Sequence, residues 1–134
     1  MAKLPTFLAT GIGSMPFTDP THAVDVSLSR LNEAPFWPQL PQLGLTEQME
    51  VQYSEGVPRT RLEAEKNRMY IDTSGDYSEE FATFYEAYMT AMDPDEGNGD
   101  CSAMAISPDY ARGLYAMEER LKAESRKLPF VKVQ

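Results

Sequence analysis

The sequence predicts an α/β fold, and three features of the chain indicate it. Residues 7–9 are apolar and lead into the glycine-containing corner 10–16, after which Asp19-Pro20 is typical of a helix start. Apolar side chains recur at helical spacing in two later segments, 81–92 and 110–121. The final residues, 128–134, are rich in β-forming side chains.

The corner that follows the first predicted strand is a candidate binding site. Gly11 and Gly13 permit backbone conformations and close approaches that a side chain would block, and Ser14 adds a hydroxyl group. In sheets and barrels built from β-loop-α units, ligands bind at the carboxyl ends of the strands. Glycine is also the usual residue of tight turns, so the corner fits a purely structural role as well.

Two features follow the corner. Val24, Leu28 and Leu31 lie four and three residues apart and predict an amphipathic helix over 20–32. The segment 35–41 holds three prolines and the single tryptophan, Trp37, so it permits only a very short strand that leads into a rigid loop. Trp37 fits a packed anchor in the core or at its rim, or a pocket wall together with Gln39.

The second half of the chain alternates polar and helical segments. Residues 44–53 predict a short helix, and the polar range 57–74 predicts a hairpin insertion with a strand at 68–72. The stripe Phe81, Phe84, Tyr85, Tyr88, Met89 and Met92 predicts a helix that buries this face in the core. Ser107-Pro108 predicts the start of another helix, whose stripe ends at Leu121.

Composition limits the partners. The chain has 134 residues, which suits one domain, and its net charge of −9 argues against nucleic acids and anionic membranes. No apolar run has the length of a membrane helix. One cysteine, Cys101, cannot form an internal disulfide, and with the single histidine it cannot complete a tetrahedral zinc site. We therefore expect a cytoplasmic protein whose partners are small molecules or proteins.

Three blocks of residues resemble one family. Gly11-Ile12-Gly13-Ser14-Met15-Pro16, the block 35–41 (Pro-Phe-Trp-Pro-Gln-Leu-Pro) and the block 52–56 (Gln-Tyr-Ser-Glu-Gly) are similar to proteins related to cobalamin-independent methionine synthase. That family belongs to a superfamily that also holds uroporphyrinogen decarboxylase. The blocks occur in the family's order, and the resemblance covers nearly the whole chain. The block 35–41 is the most specific of the three.

The resemblance implies a (β/α)8 barrel in which a catalytic zinc activates a thiol, such as that of homocysteine, for methyl transfer. It also implies that the Ile-Gly-Ser sequence at the end of the first strand, here Ile12, Gly13 and Ser14, holds the amino-acid substrate. Backbone N–H groups and a hydroxyl suit a carboxylate. Trp37 and Gln39 would form a wall of that pocket. The expected ligand is therefore a small anion or an amino acid.

The sequence departs from the family in two respects. The family's zinc ligands, a His-x-Cys pair, a Glu and a further Cys, are not matched here, so neither His22 nor Cys101 is carried over as a ligand. A whole barrel needs about 200 residues or more, whereas this chain offers three barrel-type strands, at 7–13, 35–39 and 130–134. We therefore expect a single domain over 1–134 that forms the N-terminal part of a barrel, with the hairpin at 57–74 as an insertion.

Two functions remain open on the sequence alone. The first is the substrate-binding part of a zinc-dependent methyltransferase-like protein of methionine biosynthesis, truncated and inactive as this chain alone, with zinc expected only in the full-length family. The second is a non-catalytic binding or assembly module. Because an incomplete barrel leaves strand edges and apolar faces uncovered, we expect either a homodimer or a missing C-terminal half of the barrel.

Overall fold

Helices and one hairpin are the regular elements in the part of the chain that the structure describes. The computed structural model describes residues 8–93, 95, 97–124 and 128–133. Within them lie the helices α1 (Pro20–Arg30), α2 (Met49–Gln52), α3 (Ser78–Met92) and α4 (Arg112–Ala123) and the strands β1 (Thr60–Glu63) and β2 (Arg68–Ile71). Short 3-10 turns span Pro41–Leu43, Leu45–Glu47, Ala64–Lys66 and Ser102–Met104.

The prediction of a (β/α)8-barrel portion is wrong. The middle segment expected as a barrel strand, 35–39, is parallel to a neighbour on each side, but only through the isolated bridges Ser14–Gln39 and Phe36–Lys132. Ser14 follows directly after the first expected strand, 7–13. The described sheet has two strands, β1 and β2, which is too few for a barrel portion. Of the expected strand residues, Phe7 and Gln134 lie outside the described residues.

Proline explains why the bridges do not extend into ladders. Within the segment 35–41, Trp37 N–H donates to the Lys132 carbonyl (3.1 Å) and Gln39 N–H donates to the Gly13 carbonyl (2.9 Å). Pro35 and Pro38 have no N–H group, so a regular run of ladder hydrogen bonds cannot form along this segment.

Helix α1 begins as the sequence predicts. The Asp19 carboxylate accepts hydrogen bonds from the N–H groups of Thr21 (2.9 Å) and His22 (3.3 Å), and Pro20 occupies the first helical position. These contacts satisfy backbone donors that the first turn leaves without a helical partner. The helix ends at Arg30, two residues before the predicted end.

The apolar core lies between α1 and α4. Val24 and Leu28 on α1 pack with Met117 on α4, and Leu121 and Leu128 border this cluster. The predicted stripe of the last helix is therefore correct at these positions, but its predicted start is not. Residues 108–110 form a turn, and the Ser107 carbonyl accepts hydrogen bonds from the N–H groups of Tyr110 and Ala111. The helix begins at Arg112.

A close backbone contact places α4 against the segment 35–41. A Cβ atom built on Gly113 would lie 1.9 Å from the Pro38 carbonyl oxygen. Only glycine permits that approach. The first turn of α4 therefore rests directly on the backbone of the proline-rich segment.

An antiparallel hairpin lies in the range where the sequence predicts one. Strands β1 and β2 pair from Thr60–Ile71 to Glu63–Arg68, with Asn67 left-handed in the connection. Arg59 precedes β1, and its backbone N–H donates to the Glu80 carboxylate of α3 (3.0 Å). This contact and the Arg61–Glu80 ion pair (2.9 Å) join the hairpin to the first turn of α3.

The predicted burial of the α3 stripe is wrong. Four of its side chains are between 43% and 60% exposed: Phe81, Tyr85, Tyr88 and Met92. Ala91 is the buried residue of this helix. Helical periodicity correctly predicts an apolar face, but no described element packs across it. None of the helices in the described residues has the length and apolar character needed to span a membrane.

Candidate functional site

The corner at 10–16 is shaped by two glycines, Gly11 and Gly13. A Cβ atom on Gly11 would lie 2.3 Å from the ring of Phe36, so the chain passes this ring only because residue 11 has no side chain. Gly13 has a φ of 103°, a conformation that other residues rarely adopt. Gly13 is buried, whereas Ser14 is exposed and Ile12 is 83% exposed. The corner therefore presents Ile12 and Ser14 to solvent from a fixed backbone.

Gln39 flanks Ser14 with both its backbone and its side chain. Its backbone accepts from Met15 N–H (2.9 Å) and donates to the Gly13 carbonyl (2.9 Å). Its side-chain oxygen lies 3.5 Å from the Ser14 hydroxyl. Gln39 is itself buried, so its amide lies beneath the corner.

Trp37 lies in the interior, at 2% exposure. Its indole Nε1 is buried and has no hydrogen-bond partner among the described residues. Of the five predicted site residues, the structure thus brings Gly13, Ser14 and Gln39 into direct contact. Ile12 points away into solvent, and Trp37 is part of the packed block on which the corner rests.

A buried polar chain continues from Gln39 into the protein. Gln39 Nε2 donates to Gln52 Oε1 (2.9 Å), and Gln52 Nε2 donates to the Tyr110 carbonyl (2.6 Å) and to Glu47 Oε2 (3.3 Å). Gln52 is fully buried, and Glu47 is almost so. We call Ser14, Gln39, Gln52 and Glu47 the polar chain.

Glu47 is the acidic end of the polar chain. Its Oε1 accepts from Arg112 N–H at the start of α4 (3.0 Å), and the Arg112 guanidinium lies 3.9 Å away. Burial raises the pKa of the Glu47 carboxyl, because the charged form loses its hydration. The hydrogen bonds and the nearby Arg112 charge offset this effect only in part. Glu47 is therefore held by several donors rather than by one close ion pair.

Sequence reasoning did not identify Glu47 or Gln52 as site residues. Gln52 stands in one of the three blocks of resemblance, which is a signal that could have found it. Glu47 has no comparable signal, because its partners include Arg112, 65 positions away. Lys132 was also missed: its ammonium donates to the Gly11 carbonyl (2.8 Å) and brings a positive charge to the corner.

The described residues do not assemble a metal site. No group of three or more His, Cys, Asp or Glu side chains among them has the geometry to hold a metal ion. His22 lies on α1 with its ring 4.7 Å from that of Phe17, and Cys101 is exposed in a loop. The donors needed for a catalytic zinc are thus not found in this part of the chain.

An open cleft of about 870 Å³ lies beside the polar chain. It is bordered by the turn after α2, by β1 and by the first half of α3, and it includes Tyr53, Arg59, Glu80, Phe84 and Tyr110. Tyr110 thus contributes its carbonyl to the polar chain and also borders the cleft. Arg59 is committed to Asp72 (3.1 Å) and Glu80 (3.6 Å), so the cleft has no unpaired arginine at this position.

Comparison with known proteins gives no match: no family model, no curated protein and no solved structure is significantly similar to this chain.

Proposed function

We propose that this chain binds a small ligand with a carboxylate, such as an amino acid, at the corner formed by Gly13 and Ser14. In this proposal it is the substrate-binding part of a cytoplasmic, zinc-dependent methyltransferase-like protein that transfers a methyl group to a thiol such as homocysteine. One observation carries the proposal. The three sequence blocks that resemble this family are far apart in the chain, yet Ser14, Gln39 and Gln52 contribute one residue from each block to a single hydrogen-bonded chain.

The donors at the corner support an anionic ligand. Met15 N–H is engaged by the Gln39 carbonyl, whereas the N–H groups of Gly13 and Ser14 have no partner within the described part of the chain. Backbone N–H groups at a tight corner bind carboxylates and phosphates well. Lys132 contributes a positive charge near the same backbone. The Lys132 ammonium is thus a local positive charge in a chain whose net charge is −9.

Binding, rather than catalysis, is the role proposed for the chain by itself. The described residues do not supply the donor set of a zinc site. We expect no transfer of a methyl group to homocysteine by the purified chain. Turnover together with one tightly bound zinc per chain would contradict this expectation.

Ligand binding is tested by titrating the chain with homocysteine and methionine and following backbone amide signals by nuclear magnetic resonance. We expect the largest shifts at residues 12–15. Gly13→Val should abolish binding, because it blocks the approach to the corner. Gly75→Val is the matched control, since Gly75 also has a positive φ (71°) but lies in open space away from the corner.

Two results would contradict the proposed site. One is the absence of any amide shift at millimolar ligand. The other is a set of shifts confined to the cleft lined by Tyr53 and Phe84, with residues 12–15 unaffected.

A second candidate function is a non-catalytic assembly module that forms a homodimer. The exposed stripe on α3 favours it, because Phe81, Tyr85, Tyr88 and Met92 form one apolar helix face that no described element covers. In this proposal a second copy of the chain covers that face, as closed two-fold symmetry is the commonest arrangement of soluble oligomers.

A further inference from the structure

The orientation of the Gln52 side-chain amide is fixed by its neighbours. At one end it meets the Tyr110 carbonyl (2.6 Å) and the Glu47 carboxylate (3.3 Å). A backbone carbonyl only accepts hydrogen bonds, so the NH₂ group of Gln52 must face Tyr110. The oxygen of the amide must then point the other way, toward Gln39.

The orientation of Gln39 follows from that of Gln52. Because Gln52 Oε1 is an acceptor, the Gln39 group that lies 2.9 Å from it must be the NH₂ group. The Gln39 oxygen is therefore directed at the Ser14 hydroxyl, 3.5 Å away. The opposite orientation would place two oxygens against each other in a buried site, where an unsatisfied polar group is costly.

The hydrogen-bond polarity of the exposed Ser14 hydroxyl, that is, whether it donates to or accepts from Gln39, follows from the orientation of Gln39. Because the Gln39 oxygen only accepts hydrogen bonds, the Ser14 hydroxyl can face it only as a donor, and in that arrangement its lone pairs are left for a ligand. A ligand at the corner would meet backbone N–H donors at Gly13 and Ser14 and, beside them, the hydroxyl oxygen of Ser14 as an acceptor.

We infer that Gln52 is a positioning residue that sets the hydrogen-bond polarity of Ser14 through Gln39, so that the corner selects ligands with an N–H donor next to their carboxylate. This inference rests on the proposed function, since it specifies how the same corner chooses its ligand. Gln52 itself is fully buried and touches no ligand. Its effect reaches the corner only through the Gln39 amide.

The test compares two probes that differ in one group: L-methionine and its deaminated analogue, methylthiobutanoate. Both carry a carboxylate, but only methionine carries an ammonium. We expect the full chain to bind methionine roughly tenfold or more tightly than methylthiobutanoate, because a hydrogen bond from a charged group contributes about that much to binding. In Gln52→Met and Gln39→Met the ratio of the two dissociation constants should fall toward one, because the Ser14 hydroxyl is then free to donate to either ligand.

Controls separate positioning from a general loss of structure. Gln42→Met makes the same substitution at an exposed glutamine and should leave the ratio unchanged. The double variant Gln39→Met/Gln52→Met should lower the ratio no further than either single variant, because both act through one route. A merely structural role of Gln52 would weaken both probes equally and keep the ratio.

Three outcomes would count against these assignments, and they are distinguishable. Equal binding of both probes by the unaltered chain, or an unchanged ratio in Gln52→Met, would refute the inference and leave the binding site intact. Failure of both probes to bind would refute the proposed function. In that case hydrogen exchange in the ligand-free chain still tests the orientation assigned to the two amides. Side-chain NH₂ protons of Gln39 and Gln52 that are protected from exchange would support that orientation, and unprotected protons would refute it.

Discussion

Replacing Ser27 with alanine should destabilise the protein measurably, because Ser27 joins α1 to the proline-rich segment. Its hydroxyl donates to the Phe36 carbonyl (2.8 Å) and accepts from Phe36 N–H (3.1 Å), and all three groups are buried. Alanine would leave both backbone groups of Phe36 without a partner. An unsatisfied buried group costs about 1–3 kcal/mol, and the two losses partly overlap at one residue. We therefore expect the free energy of unfolding to fall by about 2–4 kcal/mol.

Urea unfolding measures this change, with fluorescence of the single tryptophan as the signal. Trp37 is buried and adjacent to Phe36, so it reports directly on the segment concerned. In a thermal scan the same loss corresponds to a decrease in Tm of roughly 8–16 °C for a domain of this size.

The matched control is Ser29→Ala on the same helix. Ser29 is exposed, and its hydroxyl donates to the Val26 carbonyl within α1 (3.2 Å). We expect this variant to remain within about 0.5 kcal/mol of the unaltered protein. A loss below about 0.5 kcal/mol in Ser27→Ala, or equal losses in both variants, would refute the role assigned to Ser27.

Three further predictions concern other contacts. Hydrogen bonds from Arg59 N–H and Arg61 lower the pKa of Glu80 below its ordinary value of 4.5, so the folded state favours the charged carboxylate. We therefore expect Glu80→Gln to lower the free energy of unfolding by its full amount above about pH 4.5, and by less and less as the pH falls through the lowered pKa of Glu80. Urea unfolding of both proteins at several pH values measures this difference, and a difference that does not change with pH would contradict the prediction. Gly113→Ala should lower stability by about 1–3 kcal/mol, because its Cβ would overlap the Pro38 carbonyl; a Tm equal to or above that of the unaltered chain would contradict the close contact. If α3 forms a dimer interface, light scattering over a dilution series should give a dimer that Tyr85→Lys dissociates, whereas a stable monomer at micromolar concentration would exclude it.

Local signals in the sequence predict the elements that depend on neighbouring residues. Asp19-Pro20 predicts the start of α1 because both the capping bonds and the proline act within one turn. The stripe 81–92 predicts a helix for the same reason, since spacing alone sets which side chains share a face. Whether another element covers that face depends on the rest of the fold. The exposure of Tyr85 and Met92 could therefore not be predicted from spacing.

The barrel prediction failed at a different level. The segments around Ser14, Phe36 and Lys132 do run parallel to one another, but a barrel needs continuous ladders of hydrogen bonds. Pro35 and Pro38 prevent such a ladder here. The block 35–41, on which the barrel prediction mainly rested, thus also holds the prolines that limit its pairing to single bridges.

The polar chain could be predicted only in part. Gly13, Ser14 and Gln39 were predicted as site residues, and the structure places them together. Glu47 and the Tyr110 carbonyl were not, because the contacts of Glu47 with Arg112 and of Tyr110 with Gln52 join positions 65 and 58 residues apart in the chain. A buried glutamate has no recognisable pattern in a sequence where most glutamates are exposed.

Binding at the corner should depend on the docking of α4, although α4 lies outside all three sequence blocks. Arg112 N–H holds Glu47 at one end of the polar chain, and Gly113 rests on the Pro38 backbone next to Gln39. Met117, one turn later, anchors the helix in the core against Val24 and Leu28. A displacement of α4 would therefore release Glu47 and the backbone beside Gln39 together. Under the proposed function, the packing of the core should therefore affect ligand binding at the corner through the first turn of this helix.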